Sequence, residues 1–213
     1  MTARRRGLKL AAVPQPLEFW FEFASTYSYL AASRIEAECR ARGVALSWEP
    51  FLLGPIFAAQ GWKDSPFNLY PAKGRYMWRD MERLCGELRL PFRRPTVFPR
   101  NGLLAARVAC AGRGEPWLPE FVRAVYRANF AHDRDIATPE TIGEILTALR
   151  ISADAWLTRA TSPENKQRLH EQSRRAAERG LFGAPSFVVG SELFWGNDRL
   201  EQALACACAA ATP

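Results

Sequence analysis

Strand-forming sequence is divided between the two ends of this chain, and that division constrains the fold more than any other feature. Residues 17–23 (LEFWFEF) alternate in character and are rich in aromatics, as is typical of a β-strand. Residues 44–50 predict a second strand, and the helix between them has Ser25 as a capping residue and Gly43 just past its end. A strand, a helix and a strand in this order predict two parallel strands.

The second group of strands follows Gly180. Residues 186–189 and 193–195 predict two strands joined by a short hairpin connection, and a final helix begins near Asn197. Neither end of the chain has enough strands for a stable sheet of its own. We therefore expect the two ends to combine into one four-stranded mixed sheet flanked by helices, which is an α/β fold.

The long middle segment has helical periodicity interrupted by proline and glycine. Pro71 precedes a helix that carries Met77, Met81, Leu84 and Leu88 on one face. Thr138-Pro139-Glu140 and Ser162-Pro163-Glu164 are typical helix starts. Further helices are predicted at about 102–112, 117–130, 139–149, 153–160 and 163–179. The resulting domain prediction is a disordered basic leader at 1–16, a sheet domain from 17–53 and 180–210, and an inserted helical domain at 54–179.

Charge and cysteine content exclude several classes of protein. The formal net charge of +7 is spread along helices opposite acidic residues, so no dense basic stripe suggests nucleic-acid binding. No apolar run approaches the ~20 residues needed to span a bilayer. The basic residues 4–6 followed by the apolar stretch 8–13 resemble a signal peptide, but this stretch is too short and is interrupted by Lys9, which favours an unstructured basic leader. The five cysteines contain no C-x-x-C motif and predict neither a disulfide framework nor a metal site. We expect a soluble, cytoplasmic protein without nucleic-acid or membrane partners.

Three short segments carry the candidate chemistry. Ser25 lies where the first strand ends and a helix begins, a position that favours anions, although it also serves simply as an N-cap. Gly183-Ala184-Pro185 precedes a late strand, and a cis peptide bond between Ala184 and Pro185 is expected. Asn197 and Asp198 open the last helix, where Asp198 with Glu201 is alternatively a capping-box variant.

Taken together, these segments resemble the 2-hydroxychromene-2-carboxylate isomerases and kappa-class glutathione transferases, in the DsbA-like branch of the thioredoxin superfamily. Leu52-Leu53-Gly54 and the segment 71–77 (PAKGRYM) also match, so the resemblance extends from about residue 17 to 204. It implies a thioredoxin-like sheet with a large all-helical insertion. It also implies glutathione as cofactor, a role in aromatic-compound catabolism, and leaves a homodimer open.

The resemblance assigns roles to particular residues. Ser25 corresponds to the serine that hydrogen-bonds the glutathione sulfur, and Thr26 follows it where many members have proline. Ala184, before Pro185, would offer its backbone to the peptide part of glutathione. A hydroxyl donor at a helix N-terminus would lower the pKa of a thiol, which is near ~8.5 in isolation. Because serine forms no disulfide, such a site activates a borrowed thiol.

The remaining roles concern the two ends of glutathione. Asn197 and Asp198 would hold the γ-glutamyl end, and Lys73 would pair with a carboxylate, or alternatively is a solvated lysine at a helix start. Four aromatic residues are candidates for the lining of a pocket for a flat substrate, and more of them are expected in the core than in the pocket wall: Trp62, Tyr70, Tyr76 and Trp78.

The predicted function is that of a glutathione-dependent cis–trans isomerase acting on a 2-hydroxychromene-2-carboxylate-like aromatic enone by reversible thiolate addition. A kappa-class-like transferase or peroxidase, and a non-enzymatic glutathione-binding module, remain alternatives. A thiol–disulfide oxidoreductase is disfavoured because Ser25 and Ser28 occupy the positions of its cysteines. A serine hydrolase is disfavoured because His132 and His170 are expected at the surface and no nucleophile-elbow motif is present.

Overall fold

The described part of the chain contains a four-stranded sheet, as predicted, and the first strand segment forms one of its two interior strands. A computed structural model describes residues 13–209. The strands are β1 (Leu17–Phe21), β2 (Leu46–Pro50), β3 (Ser186–Val189) and β4 (Glu192–Trp195). Their order is β2-β1-β3-β4, with β1 parallel to β2 and antiparallel to β3, and β3 antiparallel to β4.

Aromatic side chains bury both faces of β1, which explains its central place. Phe19 and Phe21 pack on Trp48 of β2 on one face. On the other face, Trp20 packs on Phe51 in a smaller apolar cluster. A strand with both faces covered reads as a near-continuous apolar run. The aromatic content of β1 therefore specifies burial on two sides.

Ten helices account for most of the described chain. The five helices whose bounds were predicted as residue ranges begin and end within about two residues of those bounds. Two short helices, Leu53–Ala59 and Pro66–Leu69, are additional to the predicted ones. The helices are α1 (Thr26–Ala41), α2 (Leu53–Ala59), α3 (Pro66–Leu69), α4 (Pro71–Leu88), α5 (Leu103–Ala111), α6 (Leu118–Phe130), α7 (Pro139–Ala148), α8 (Ala153–Thr161), α9 (Pro163–Glu178) and α10 (Leu200–Ala209).

Capping side chains start the helices where the sequence predicts. Ser25, Thr138 and Ser162 each accept a hydrogen bond from the N–H three residues later. Gly43 follows α1 with φ of +65°, the left-handed conformation that favours glycine. These local signals depend on neighbouring residues, which is why the sequence alone locates them.

One large apolar core joins the strands to the helices of the predicted insertion. It includes Phe21 and Phe23 together with Met77, Val125 and Leu146. The division into a sheet domain and an inserted domain stays a prediction. Most of the predicted leader, residues 1–12, lies outside the described residues, whereas the N–H of Gln15 donates to the carbonyl of Ala207. In residues 13–209, no helix is long and apolar enough to cross a membrane.

Candidate functional site

Ser25 lies at the junction of the sheet and α1. Its hydroxyl accepts a hydrogen bond from the N–H of Ser28 at 3.2 Å, as an N-cap does. The same hydroxyl donates to the carbonyl oxygen of Ala184 at 2.8 Å, across 159 residues of sequence. This second bond joins two of the segments in which the sequence predicts site residues. Ser25 is thus an N-cap and a contact between the two ends of the chain.

The Ala184–Pro185 peptide bond is cis, which confirms the prediction. It enters β3 beside Trp195 at the end of β4. A Cβ on Gly183 would lie 2.3 Å from Nε1 of Trp195, so only glycine permits this close approach. The carbonyl of Pro185 accepts a hydrogen bond from the N–H of Gly196 at 3.0 Å. The loop before β3 is therefore held against the turn that follows β4.

A single cavity contains every candidate binding residue that the sequence predicts. Its volume is about 1090 Å³, and it lies between the Ser25 end of the sheet and the segments 52–67 and 98–103. The predicted residues that line it are Ser25, Lys73, Ala184, Pro185, Asn197 and Asp198. Their chemical roles are not decided by this placement, but residues from distant parts of the chain do meet at one site.

Asn197 and Asp198 belong to a short 3₁₀ turn, Asn197–Arg199, that precedes α10. Gly196 is the N-cap residue of this turn, and no side chain caps it. The carboxylate of Glu201 instead pairs with Arg34 and Arg42. The capping-box interpretation of Asp198 is therefore wrong, because neither of its two hydrogen bonds forms.

The side chain of Asp198 is 71% exposed and lies 3.4 Å from the guanidinium of Arg199. Asn197 is buried, and its Oδ1 atom has no hydrogen-bond partner among the described residues. A buried polar atom without a partner costs free energy. The turn therefore offers one exposed carboxylate and one unsatisfied acceptor at the edge of the cavity.

Lys73 lies in the first turn of α4. Its Nζ atom is 5.8 Å from the centre of the Phe67 ring, and it forms no ion pair with any residue of the described chain. Lys73 is exposed to solvent. The alternative of a solvated lysine thus stays open, but the amine faces a cavity in which a carboxylate would find an unpaired cation.

Glu22 is a site residue that the sequence analysis did not identify. It follows β1, lines the cavity, and accepts a hydrogen bond from the N–H of Ala24 at 2.9 Å. Burial raises the pKa of Glu22 to about 7, against the opposing effect of that hydrogen bond. The sequence signal for Glu22 is that it is an acidic residue at the end of an apolar strand. Its partial protonation at neutral pH follows only from its surroundings.

The helix start after Ser25 differs from the common pattern of the resembled family at Thr26. The buried Thr26 hydroxyl donates to Sδ of Met77 at 3.3 Å. The next residue, Tyr27, donates from its hydroxyl to Asp80 at 2.9 Å. Both bonds tie the start of α1 to α4, so Thr26 anchors the helix against the neighbouring wall of the cavity.

The aromatic lining differs in part from the prediction. Trp62 and Tyr76 line the cavity, together with Phe57 and Phe67, which were not predicted. Trp78 instead packs against Phe92 and Phe98, and Tyr70 is exposed at the surface outside the cavity.

Thiol–disulfide exchange and serine hydrolysis each lack an essential group at this site. No cysteine of residues 13–209 lines the cavity, and burial raises the pKa of Cys39 to about 12 and of Cys85 to about 11. His132 and His170 are exposed and do not line the cavity, as predicted. The site therefore has neither a redox cysteine nor a histidine base beside Ser25.

Comparison with known proteins finds relatives over almost the whole chain. Residues 16–205 match the DSBA-like thioredoxin domain. The chain is 28% identical to the 2-hydroxychromene-2-carboxylate isomerase of Sphingobium xenophagum, with 87% of this chain and 94% of that protein covered. It is 27% identical to human glutathione S-transferase kappa 1, with 90% of each covered.

A solved structure of a 2-hydroxychromene-2-carboxylate isomerase superposes with a TM-score of 0.80 at 24% identity, covering 90% of this chain and 95% of that one. Likeness at this level of identity shows a shared fold. The thioredoxin-like fold expected from the sequence is thus confirmed.

Proposed function

The chain belongs to the family of DSBA-like thioredoxin domains, and from this premise we propose that it is a glutathione-dependent cis–trans isomerase. Its substrate would be an aromatic enone similar to 2-hydroxychromene-2-carboxylate. The observation that carries the proposal is the hydrogen bond from Ser25 to Ala184 at 2.8 Å, which joins a helix N-terminus to the cis-proline edge inside a large cavity. Two of the relatives are named for this isomerase and for a glutathione transferase.

Ser25 is the proposed catalytic residue. Its hydroxyl can rotate from the carbonyl of Ala184 toward a sulfur atom in the cavity while still accepting the N–H of Ser28. A hydrogen bond and the positive end of the α1 dipole both stabilise a thiolate relative to a thiol. Ser25 would therefore hold the sulfur in its charged, nucleophilic form.

The other lining residues fit the remaining groups of glutathione. The unpartnered Oδ1 of Asn197 can accept from an ammonium or amide N–H, and the exposed carboxylate of Asp198 adds a negative charge there. Lys73 would bind a carboxylate, and Ala184 before Pro185 would align the peptide part. Complementary groups remote from the sulfur would position it for reaction.

Bound glutathione would supply a thiolate that adds reversibly to the enone, so that a double bond becomes a freely rotating single bond. Residues of the chain would line the space in which this addition takes place. Trp62 and Tyr76 are flat surfaces that an aromatic substrate can stack against. The cavity of about 1090 Å³ exceeds the ~300–1,000 Å³ typical of a single small ligand. A substrate would therefore bind in the same cavity, beside glutathione.

The alternatives are separated by one sequence of measurements. Retention on glutathione-agarose, followed by incubation of the protein and glutathione with an aromatic enone and, separately, with a peroxide, distinguishes three results. Isomerised product with unchanged glutathione supports the proposal. Accumulation of a stable conjugate, or reduction of a peroxide, indicates a transferase or peroxidase. Binding without any reaction indicates a binding module.

We also propose a homodimer, which analytical ultracentrifugation tests.

We expect Asp198→Asn to weaken glutathione binding about two- to fivefold, because the exposed carboxylate would pair with the ammonium of the γ-glutamyl end. Isothermal titration calorimetry measures the affinity. The melting temperature should stay nearly unchanged, since Asp198 does not cap the turn.

Glu201→Gln is the matched control for this change. Glu201 also lies near the start of α10, but its carboxylate pairs with Arg34 and Arg42, and it does not line the cavity. Its replacement should leave glutathione affinity unaltered. Equal affinities for the wild type and Asp198→Asn would remove Asp198 from the proposed site.

A further inference from the structure

We propose that Phe57, Trp62 and Lys63 form a second subsite of the cavity, which binds a flat aromatic carboxylate. All three line the cavity from the segment that ends α2 and follows it. This segment is distant in the sequence from both Ser25 and Ala184. The identification of the bound molecule as the electrophilic substrate rests on the proposed function, whereas the chemistry of the subsite does not.

The aromatic part of the subsite is a pair of half-buried rings. The ring centres of Phe57 and Trp62 are 5.3 Å apart, and the planes are tilted by 47°. The N–H of Trp62 donates to the carbonyl of Phe57 at 2.9 Å, which fixes their spacing. Because both side chains are partly exposed and line the cavity, they present aromatic surface to its contents. Such surfaces bind planar rings by offset or edge contacts.

The charge of the subsite comes from Lys63, the residue after Trp62. Neither Lys63 nor Lys73 forms a hydrogen bond or ion pair with any side chain of residues 13–209. The two arginines that line the cavity are paired, Arg100 with Asp133 and Arg199 with Asp198. The acids Asp80, Asp64 and Glu22 hydrogen-bond to neutral groups, namely Tyr27, Asn68 and the N–H of Ala24, and form no ion pair with either lysine.

The cavity thus contains two lysines with unpaired charge in different places along the chain. Lys73 on α4 is the cation proposed for glutathione. Lys63 has no role in the proposed glutathione site, and it lies beside the Phe57–Trp62 pair. A molecule that carries both an aromatic ring and a carboxylate would bind the two rings and Lys63 together. An aromatic carboxylate would contact the aromatic pair and also neutralise the charge of Lys63, whereas an uncharged aromatic compound would contact only the aromatic pair.

Cinnamate and cinnamamide test this subsite, since they share a flat frame and differ in charge. Isothermal titration calorimetry with each compound is carried out on the wild type, with and without saturating glutathione. We expect cinnamate to bind about fivefold more tightly than cinnamamide. Lys63→Gln should abolish this preference and leave the affinity for cinnamamide and for glutathione unchanged.

Lys166→Gln is the matched control, because Lys166 is exposed on α9 and does not line the cavity. It should behave as the wild type. Equal binding of the two compounds by the wild type, or a preference that survives Lys63→Gln, would overturn the subsite. Failure of the wild type to bind glutathione would instead overturn the proposed function, and the titrations without glutathione would still decide the subsite.

Discussion

Replacing Ser25 with alanine is expected to slow glutathione-dependent isomerisation about tenfold to a hundredfold. A hydrogen bond to a charged group contributes ~1.5–3 kcal/mol, and its loss should also raise the pKa of the bound thiol by about one to two units. The ultraviolet absorbance of the thiolate, followed against pH on the glutathione-loaded protein, measures the pKa. Turnover of an aromatic enone measures the rate.

The complication is that Ser25 also caps α1, so the alanine variant loses about 1 kcal/mol of stability. Ser162→Ala is the control, because Ser162 caps α9 by accepting the N–H of Asn165 at the same 3.2 Å and does not line the cavity. Both variants should lose the stability that a cap provides, Ser25→Ala losing more because its hydroxyl also donates to Ala184, and only Ser25→Ala should lose thiolate and rate. Identical thiol titrations in Ser25→Ala and the wild type would contradict the role of Ser25.

Glu22→Gln is expected to stabilise the protein at pH 8 by up to about 3 kcal/mol. Burial raises the pKa of Glu22 from 4.5 to about 7 in the folded state. Between these two values the unfolded chain binds fewer protons than the folded chain, so the stability of the wild type falls as pH rises. Above pH 7 the full cost of ionising the carboxyl group is present. Glutamine keeps an oxygen that can accept the N–H of Ala24 and carries no charge.

Denaturant unfolding at pH 4, 6 and 8 measures this effect. The wild type and Glu22→Gln should have similar stability at pH 4 and diverge at pH 8, where the variant is more stable. Glu82→Gln, which removes an exposed carboxylate on α4, should follow the wild type more closely. A variant less stable than the wild type at pH 8 would show that the Glu22 carboxylate is stabilised in the fold.

Much of the architecture was predictable because its signals are local. The aromatic pattern of β1, the hydroxyl caps of α1, α7 and α9, and the prolines at the starts of α7 and α9 each depend on a few neighbouring residues. The pairing of the two ends followed from the number of strands at each. The candidate residues were identified by family resemblance at four short segments, and all of them line the same cavity.

The properties of the site that depend on distance were not predictable in this way. Whether Asp198 caps a helix depended on the backbone around it, where Gly196 is the N-cap residue of the turn and no side chain caps it, while Glu201 pairs with Arg34 and Arg42. Tyr70 and Trp78 have the same aromatic character as Trp62, yet only packing decides which ring faces the cavity. Each of these outcomes results from contacts between residues far apart in the sequence.

The sequence by itself determined the strand and helix order, the serine in place of a cysteine at the start of α1, and the absence of a C-x-x-C motif. Only the tertiary structure decided that Ser25 donates to Ala184, that Glu22 has a pKa near 7, and that Lys63 is unpaired beside two aromatic rings. The physical reason is that secondary structure follows from backbone preferences of adjacent residues. Hydrogen bonds across the fold, desolvation and charge pairing follow instead from the atoms that packing brings together.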